Sequence, residues 1–253
     1  MELAQTILIT QARTGSTRLP KKVLLKVGDN ELLKIQLNRL SLCKEIDKII
    51  VATTISPDDD IIVNLCKGWN QEVKRGSVDD VLDRYFQSLK SLQPQWVVRV
   101  TSDCPLIDPN LVDAVIKMAK TTDVDYASNV LEERYPDGQD VEVFKFSALE
   151  RAWKEATLTS DREHVTPYIR TNSSYKGGKL FNSVNFPCGD NFSEIRMTVD
   201  EPRDFELIKK LIEDLGTNET WLTYTKHILA NNYTQINSNI IRNEGFLKSL
   251  KND

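Results

Sequence analysis

The sequence is poor in the residues that build disulfide frameworks and structural metal sites. Its 253 residues include four cysteines and two histidines. The cysteines are scattered, and no pair has the C-x-x-C spacing, so neither a disulfide scaffold nor a zinc module is predicted. Reduced thiols fit a cytoplasmic protein, and we expect that location.

Two further absences narrow the class of protein. No stretch approaches the roughly 18 consecutive apolar residues of a membrane span, so no membrane association is predicted. The formal net charge of −4 gives no general attraction to polyanions, so nucleic acid is not an expected partner. Because 40% of the residues are hydrophobic, the chain can build the core of an ordinary globular protein.

The first hundred residues alternate between strand-like and helical patterns. Apolar runs predict buried strands at residues 7–9, 48–54, 71–75 and 96–100. Helical patterns lie between them, and one begins at Asp58-Asp59-Asp60, where the carboxylates suit a helix N-terminus better than a metal site. This alternation predicts an α/β fold with a mostly parallel sheet, whose ligands lie beyond the carboxyl ends of the strands.

The pattern changes after about residue 122. Short strands, a turn at residues 135–140 and two helical patterns predict an inserted lobe at about residues 125–190, within a single domain spanning residues 1–253. Strands at 179–186 and 194–199 follow. A helical extension is predicted from about residue 217, with a polar tail that we expect to be a peripheral helix or partly disordered.

The loop after the first strand has the composition of an anion-binding site. Arg13, Arg18 and Lys22 supply positive charge, and backbone N–H groups near Gly15 and Ser16 could point at phosphate oxygens. The loop matches neither the P-loop nor the dinucleotide-binding fingerprint. A basic surface loop is the alternative interpretation.

Three aspartates follow predicted strands or begin helices. Asp108 precedes Pro109 and is explained as a helix N-cap, whereas Asp103 has no such explanation and is predicted to bind a ligand. Asp200 also follows a strand, with the N-cap of the next helix as its alternative role. Two carboxylates facing a triphosphate held by the loop are what Mg²⁺ needs, so the sequence outlines a magnesium-dependent nucleotidyl-transfer site.

At three ordered motifs the chain resembles a known family. The motifs are QARTGSTRLPKK at residues 11–22, VTSDCPLI at 100–107 and MTVDEP at 197–202. Over about residues 6–215 the chain is similar to the SpsF-type cytidylyltransferases of bacterial surface-polysaccharide synthesis, which belong with the CMP-octulosonate and acylneuraminate synthetases. The resemblance implies a GT-A-like, Rossmann-like nucleotidyltransferase fold and a homodimer formed through the inserted lobe.

The resemblance also implies roles for individual residues. Arg13 and Lys22 would hold the triphosphate of CTP, and Asp103 and Asp200 would carry Mg²⁺; these four are the predicted catalytic residues. This chain departs from the octulosonate and sialate enzymes, which have proline at the position of Gln11, and from the octulosonate enzymes, which have Gln-Gly in place of Thr101-Ser102. The SpsF subgroup shares these departures with this chain. The predicted contacts with CTP are Gln11, Ala12, Arg13, Ser16, Lys22, Thr101 and Ser102.

The acceptor site is predicted in two polar segments of the inserted lobe. Cationic groups there could hold the carboxylate or phosphate of an acidic sugar. A solvated helix face is the alternative for Arg162, and a buried hydrogen-bonded imidazole is the alternative for His164. The candidate acceptor residues are Asp137, Gln139, Asp140, Arg162, His164 and Arg170.

The predicted activity is transfer of CMP from CTP to an acidic or phosphorylated sugar-like acceptor, with release of pyrophosphate. The product is a CMP-sugar if the acceptor oxygen is an anomeric hydroxyl and a CDP-linked compound if it belongs to a phosphate. One alternative is a GT-A glycosyltransferase, for which Asp123-Val124-Asp125 has the D-x-D spacing. Another is a nucleotide-binding module without catalytic activity.

Overall fold

A seven-stranded sheet is the central element of the computed structural model, which describes residues 5–253 apart from the side chain of Asn252. Two short strands, β2 and β3, form a separate hairpin. In chain order the strands are β1 (Thr6–Gln11), β2 (Lys26–Val27), β3 (Asn30–Glu31), β4 (Lys48–Thr54), β5 (Glu72–Gly76), β6 (Trp96–Thr101), β7 (Tyr126–Ser128), β8 (Glu142–Lys145) and β9 (Ser183–Asn185).

The sheet has the order β5-β4-β1-β6-β8-β7-β9. The first four of these strands are parallel, whereas β8 is antiparallel to both β6 and β7, and β9 is parallel to β7. The predicted α/β fold with a mostly parallel sheet is therefore confirmed. The region predicted as an inserted lobe contributes β7, β8 and β9 to this same sheet.

Helices cover both faces of the sheet because its strands are apolar on both sides. In β1, Ile7 and Ile9 pack with Tyr85 on one face, while Leu8 packs with Val112 on the other, and all are fully buried. The helices are α1 (Leu32–Leu40), α2 (Asp60–Gly68), α3 (Val81–Leu89), α4 (Pro109–Thr122), α5 (Phe146–Glu155), α6 (Thr159–His164), α7 (Pro167–Thr171), α8 (Pro202–Leu215), α9 (Trp221–Ala230) and α10 (Glu244–Ser249).

The prediction of a strand at residues 194–199 is wrong. This segment makes only one isolated bridge, between Arg196 and Asp137. It is apolar because it packs against α8, but its backbone pairs with loops: Met197 N–H donates to the Asp137 carbonyl at 2.6 Å, and Val199 N–H donates to the Asp103 carbonyl at 2.8 Å. The segment therefore crosses the end of the sheet beside the residues that follow β6.

The polar tail contains the helix α10, in agreement with the helical alternative, but parts of the tail are buried and so it is not wholly peripheral. Asn237 is buried and donates to Asp204 at 2.9 Å and to the Arg196 carbonyl at 3.2 Å. Beyond it, α10 packs against α6. None of the helices in residues 5–253 has both the length and the apolar character needed to cross a bilayer.

Candidate active site

A cavity of about 560 Å³ opens at the carboxyl ends of β1 and β6. Its size falls within the roughly 300–1,000 Å³ of typical small-molecule sites. At its centre Lys22 Nζ donates to Asp103 Oδ2 at 2.9 Å and to Asp200 Oδ1 at 2.7 Å. Three distant parts of the chain thus converge on one ammonium group, as the sequence interpretation required.

The local structure explains how the two aspartates reach this point. Asp103 lies two residues beyond β6. The hydrogen bond from the Val199 N–H to the Asp103 carbonyl holds residues 194–199 beside this loop. Asp200 is not the N-cap of α8. That position belongs to Glu201, which forms a capping box with Asp204. The alternative role proposed for Asp200 is therefore wrong, and its carboxylate is free to face Lys22.

The ionisation of this cluster follows from its charges. Burial opposes the charge on Asp103, but Lys22 and hydrogen bonds from Thr101 and Cys104 outweigh burial and lower the pKa of Asp103 to about 2. Burial likewise opposes the charge on Lys22, yet the two carboxylates raise its pKa above the ordinary lysine value. Asp103 is therefore a carboxylate and Lys22 an ammonium at neutral pH.

Arg196 holds the second oxygen of Asp200, and the sequence analysis missed this role. Its side chain is buried and donates from Nη2 to Asp200 Oδ2 at 3.0 Å, from Nε to Asp204 Oδ1 at 2.9 Å and from Nη1 to Asp137. Burial opposes the charge on Arg196, but the carboxylates outweigh it and raise the pKa of the guanidinium. Arg196 therefore fixes the orientation of Asp200.

The cationic loop is anchored by a buried carboxylate. Asp59 Oδ1 accepts hydrogen bonds from the Thr14 N–H at 2.7 Å and from its hydroxyl at 2.8 Å. Burial opposes ionisation of Asp59, but hydrogen bonds from Thr54 and Thr14 lower its pKa. Within the predicted aspartate cluster, Asp59 thus fastens the loop, a long-range contact that the helix-terminus interpretation did not include.

Several predicted CTP contacts lie in the cavity wall. Ser16 is one of them, but its backbone N–H already donates to the Thr14 carbonyl at 3.0 Å and so cannot donate to a phosphate oxygen in this conformation. Ala12 is absent from the wall: its side chain is buried in the core beside α2. The predicted contacts that line the cavity are Gln11, Arg13, Ser16, Lys22, Thr101 and Ser102.

The predicted acceptor residues divide into two groups. Asp137, Asp140, His164 and Arg170 line the cavity. In contrast, Gln139 is fully buried: it donates to the Leu106 carbonyl and accepts from the Asp108 N–H.

Arg162 also lies outside the cavity wall. It donates from Nε to Asp80 Oδ2 at 2.9 Å and from Nη1 to the Trp153 carbonyl at 2.7 Å. Both Gln139 and Arg162 use their polar atoms to join elements of the fold, so we withdraw them from the acceptor site.

The end of the cavity that His164 and Arg170 line contains charged groups that the sequence analysis did not identify. Arg99 pairs with Glu142, which also accepts a hydrogen bond from Tyr126 at 2.6 Å. Nearby, burial and the positive charges of Arg99 and Arg170 lower the pKa of His164 to about 4. The imidazole is therefore neutral at pH 7, in agreement with the alternative that treated His164 as a hydrogen-bonded histidine.

The donor set can be tested against a metal ion. Across the described residues 5–253, no three histidine, cysteine, aspartate or glutamate side chains form a ready metal cage. Asp103 and Asp200 nevertheless present hard carboxylate oxygens to one cationic group. This set suits Mg²⁺, which takes one or two carboxylates and completes its shell with phosphate oxygens and water.

The D-x-D alternative has no support from the geometry. Asp123 and Asp125 lie at the end of α4 and before β7, outside the cavity wall. Both are within salt-bridge distance of Lys145, at 3.0 and 3.6 Å.

Comparison with known proteins agrees with this arrangement. A family model described as cytidylyltransferase matches residues 7–241. The chain belongs to the cytidylyltransferase family. It is a CTP-dependent nucleotidyltransferase, and the resemblance drawn from the three motifs is confirmed.

Individual relatives cover most of this cytidylyltransferase. An uncharacterized protein of Methanocaldococcus jannaschii is 42% identical over 205 residues, 80% of this chain and 81% of that protein. The spore coat polysaccharide biosynthesis protein SpsF of Bacillus subtilis is 32% identical over 222 residues, 83% of this chain and 87% of its own length. A solved cytidylyltransferase from Leptospira borgpetersenii has a TM-score of 0.86 at 30% identity, covering 94% of this chain and all of that one.

Proposed function

We propose that this cytidylyltransferase transfers CMP from CTP to an acidic or phosphorylated sugar-like acceptor in surface-polysaccharide or glycoconjugate synthesis. The observation that carries this proposal is the contact of Lys22 with both Asp103 and Asp200. The two carboxylates would hold Mg²⁺, which when bound neutralises charge on the triphosphate. The cations of the loop would hold the phosphates of CTP from the other side.

The chain's own residues supply most of the positioning. Arg13 is exposed at the cavity wall and has no ion-pair partner within residues 5–253, so its guanidinium is available to a phosphate. Lys22 and Arg18 already face Asp200 and would exchange this contact for phosphate oxygens. Held in this way, CTP would present its α-phosphorus to in-line attack by the acceptor oxygen.

The acceptor would lie at the other end of the cavity. Arg170 lines this end, and no ion pair is found for it in the described part of the chain. An unpaired guanidinium suits the carboxylate of a sugar acid or a phosphate group. Neutral His164 can exchange one hydrogen bond with the same ligand. Homodimerisation and a cytoplasmic location remain predictions.

Pyrophosphate release tests the proposal. The protein is incubated with CTP, Mg²⁺ and in turn 3-deoxy-manno-octulosonate, N-acetylneuraminate and glucose 1-phosphate. We expect pyrophosphate with at least one acceptor and a large loss in the Asp103→Asn variant. The matched control is Asp123→Asn, an exposed carboxylate outside the cavity. Failure with all three acceptors, or equal rates without divalent metal, would contradict the proposal, and UDP release from UDP-glucose would favour a glycosyltransferase.

A further inference from the structure

The C-terminal segment, defined here as residues 242–249, lies against both halves of the cavity. The nucleotide half is lined by Arg18 and Lys22, and the acceptor half by His164 and Arg170. Asn243, Glu244, Gly245, Phe246, Lys248 and Ser249 all contribute to the cavity wall. At the nucleotide half, Glu244 approaches Arg18 at 3.4 Å. The family match ends at residue 241, so these residues lie just past the matched range.

At the acceptor half, Phe246 is in contact with two proposed acceptor residues. The Arg170 guanidinium lies over the Phe246 ring, 5.6 Å from its centroid. The His164 ring meets the same side chain edge-on, with centroids 5.1 Å apart. In addition, His164 Nε2 and Ser249 Oγ are 2.8 Å apart. Two side chains of α6 and α7 are thus held by one turn of α10.

The segment is fastened on both sides of this contact. Before it, Arg242 donates to Asp140 Oδ1 at 2.9 Å and to the Tyr135 carbonyl at 3.2 Å. After it, the Asp253 carboxylate accepts from the Ser160 N–H at 2.8 Å and from its hydroxyl at 2.6 Å. These bonds keep Phe246 over the acceptor half.

We infer that the C-terminal segment forms one wall of the acceptor site and that Phe246 is a positioning residue, which orients Arg170 and His164 toward an anionic acceptor. This inference rests on the proposed function. A flat aromatic face fixes the plane of the guanidinium while leaving its N–H groups free to donate. The identity of the acceptor would then depend on residues outside the region matched by the family model.

The first test asks whether the segment covers the site in solution, without any acceptor. The chain has only two histidines, so NMR titration of the imidazole signals resolves His164 from His227. We expect a low pKa for His164 in the parent protein and a rise toward the ordinary value in Phe246→Ala, because the ring gains contact with water. His227, which contacts Asp214, supplies the internal reference signal. An ordinary pKa for His164 in the parent protein, or identical titrations in both proteins, would overturn the inference.

The second test separates positioning of the acceptor from binding of the nucleotide. With the acceptor that reacts fastest among the three named above, Phe246→Ala should raise the acceptor KM about tenfold and leave the KM for CTP unchanged. Phe246→Tyr, which keeps the aromatic face, should restore the parent KM. The control is Leu247→Ala, on the exposed side of the same helix. An unchanged acceptor KM in Phe246→Ala would refute the positioning role.

The two tests also separate this inference from the proposed function. If the parent protein releases no pyrophosphate with any of the three acceptors, the proposed function fails, and the positioning role fails with it. If the parent protein releases pyrophosphate with an acceptor and Phe246→Ala has the same acceptor KM as the parent, the proposed function stands and the inference alone is wrong.

Discussion

Arg196→Met is the substitution whose effect the structure defines most clearly. Arg196 joins Asp137, Asp200 and Asp204, and Asp204 is completely buried. Removing one partner of a buried ion pair costs about 3–5 kcal/mol because the other charge is left uncompensated. Asp204 keeps hydrogen bonds from the Asp200 and Glu201 N–H groups and from the side chain of Asn237, so we expect a loss near the lower limit, about 3 kcal/mol.

The loss of unfolding free energy in Arg196→Met should depend on pH because Asp137 titrates. Burial and the nearby Asp140 raise the pKa of Asp137 to about 7, opposed by Arg242 and Arg196. When the pKa of a carboxyl group is higher in the folded than in the unfolded protein, the free energy of unfolding falls as the pH rises toward the folded pKa. Without the guanidinium, the pKa of Asp137 in the folded protein rises further. The free energy of unfolding of the variant therefore continues to fall above pH 7, where the contribution of Asp137 in the parent protein no longer changes. The difference between the two proteins should therefore be larger at pH 8.5 than at pH 6.

Urea unfolding at 25 °C measures the effect, with the free energy obtained by linear extrapolation and the slope compared between proteins. Arg203→Met is the control, because Arg203 is an exposed arginine on α8 and its loss should change the free energy of unfolding by less than about 0.5 kcal/mol. A free energy for Arg196→Met within about 1 kcal/mol of the parent at pH 7 would refute the argument that this guanidinium compensates buried charge.

Three further substitutions test separate parts of the site. Asp103→Asn should lower the free energy of unfolding by about 2 kcal/mol at pH 7, because the pKa of Asp103 in the folded protein, about 2, lies below the ordinary value. The difference in this free energy between variant and parent should narrow below pH 4 and vanish as the pH falls through about 2, which unfolding experiments in acid would measure. Asp59→Asn should raise the KM for CTP about tenfold with no change in acceptor KM, because Thr14 loses a charged acceptor; steady-state kinetics with each substrate varied would expose any other outcome. Gly138→Ala should lower stability by about 2–3 kcal/mol in thermal melts, since φ is +103° and the added Cβ would lie 2.6 Å from the Met197 carbonyl carbon; an unchanged melting temperature would contradict this.

The local features of the fold could be predicted from the sequence. The strands at residues 7–9 and 48–54 are apolar on both faces, and such runs identify buried parallel strands without knowledge of their partners. Asp108 was identified as an N-cap because capping depends only on neighbouring residues, and its carboxylate does accept from the Asn110 N–H at 2.8 Å. Asp103 and Asp200 could be placed because parallel topology brings loops after different strands to one edge.

The remaining features depend on contacts between residues distant in sequence. Asp59 holds Thr14 across 45 positions, and no local pattern distinguishes it from Asp58 and Asp60. The apolar residues around Arg196 gave a strand pattern, although this segment packs on α8 and pairs with loops. The polar tail lacks the apolar periodicity from which a packed helix is recognised. Helix α10 contacts the cavity residues through the ring of Phe246 and through hydrogen bonds of Glu244 and Ser249.

The position of Lys22 links the stability of the site to its chemistry. Two carboxylates this close repel each other, and the ammonium between them removes that repulsion, which explains why a lysine with an opposing burial cost remains charged. An ammonium has three N–H donors, and two of them are committed to the aspartates. A triphosphate in the cavity would compete for the same donors, so Lys22 can serve the nucleotide fully only when another cation takes its place between Asp103 and Asp200. If Mg²⁺ binds these two carboxylates as proposed, it would take the place of the ammonium between them and release Lys22 to the triphosphate.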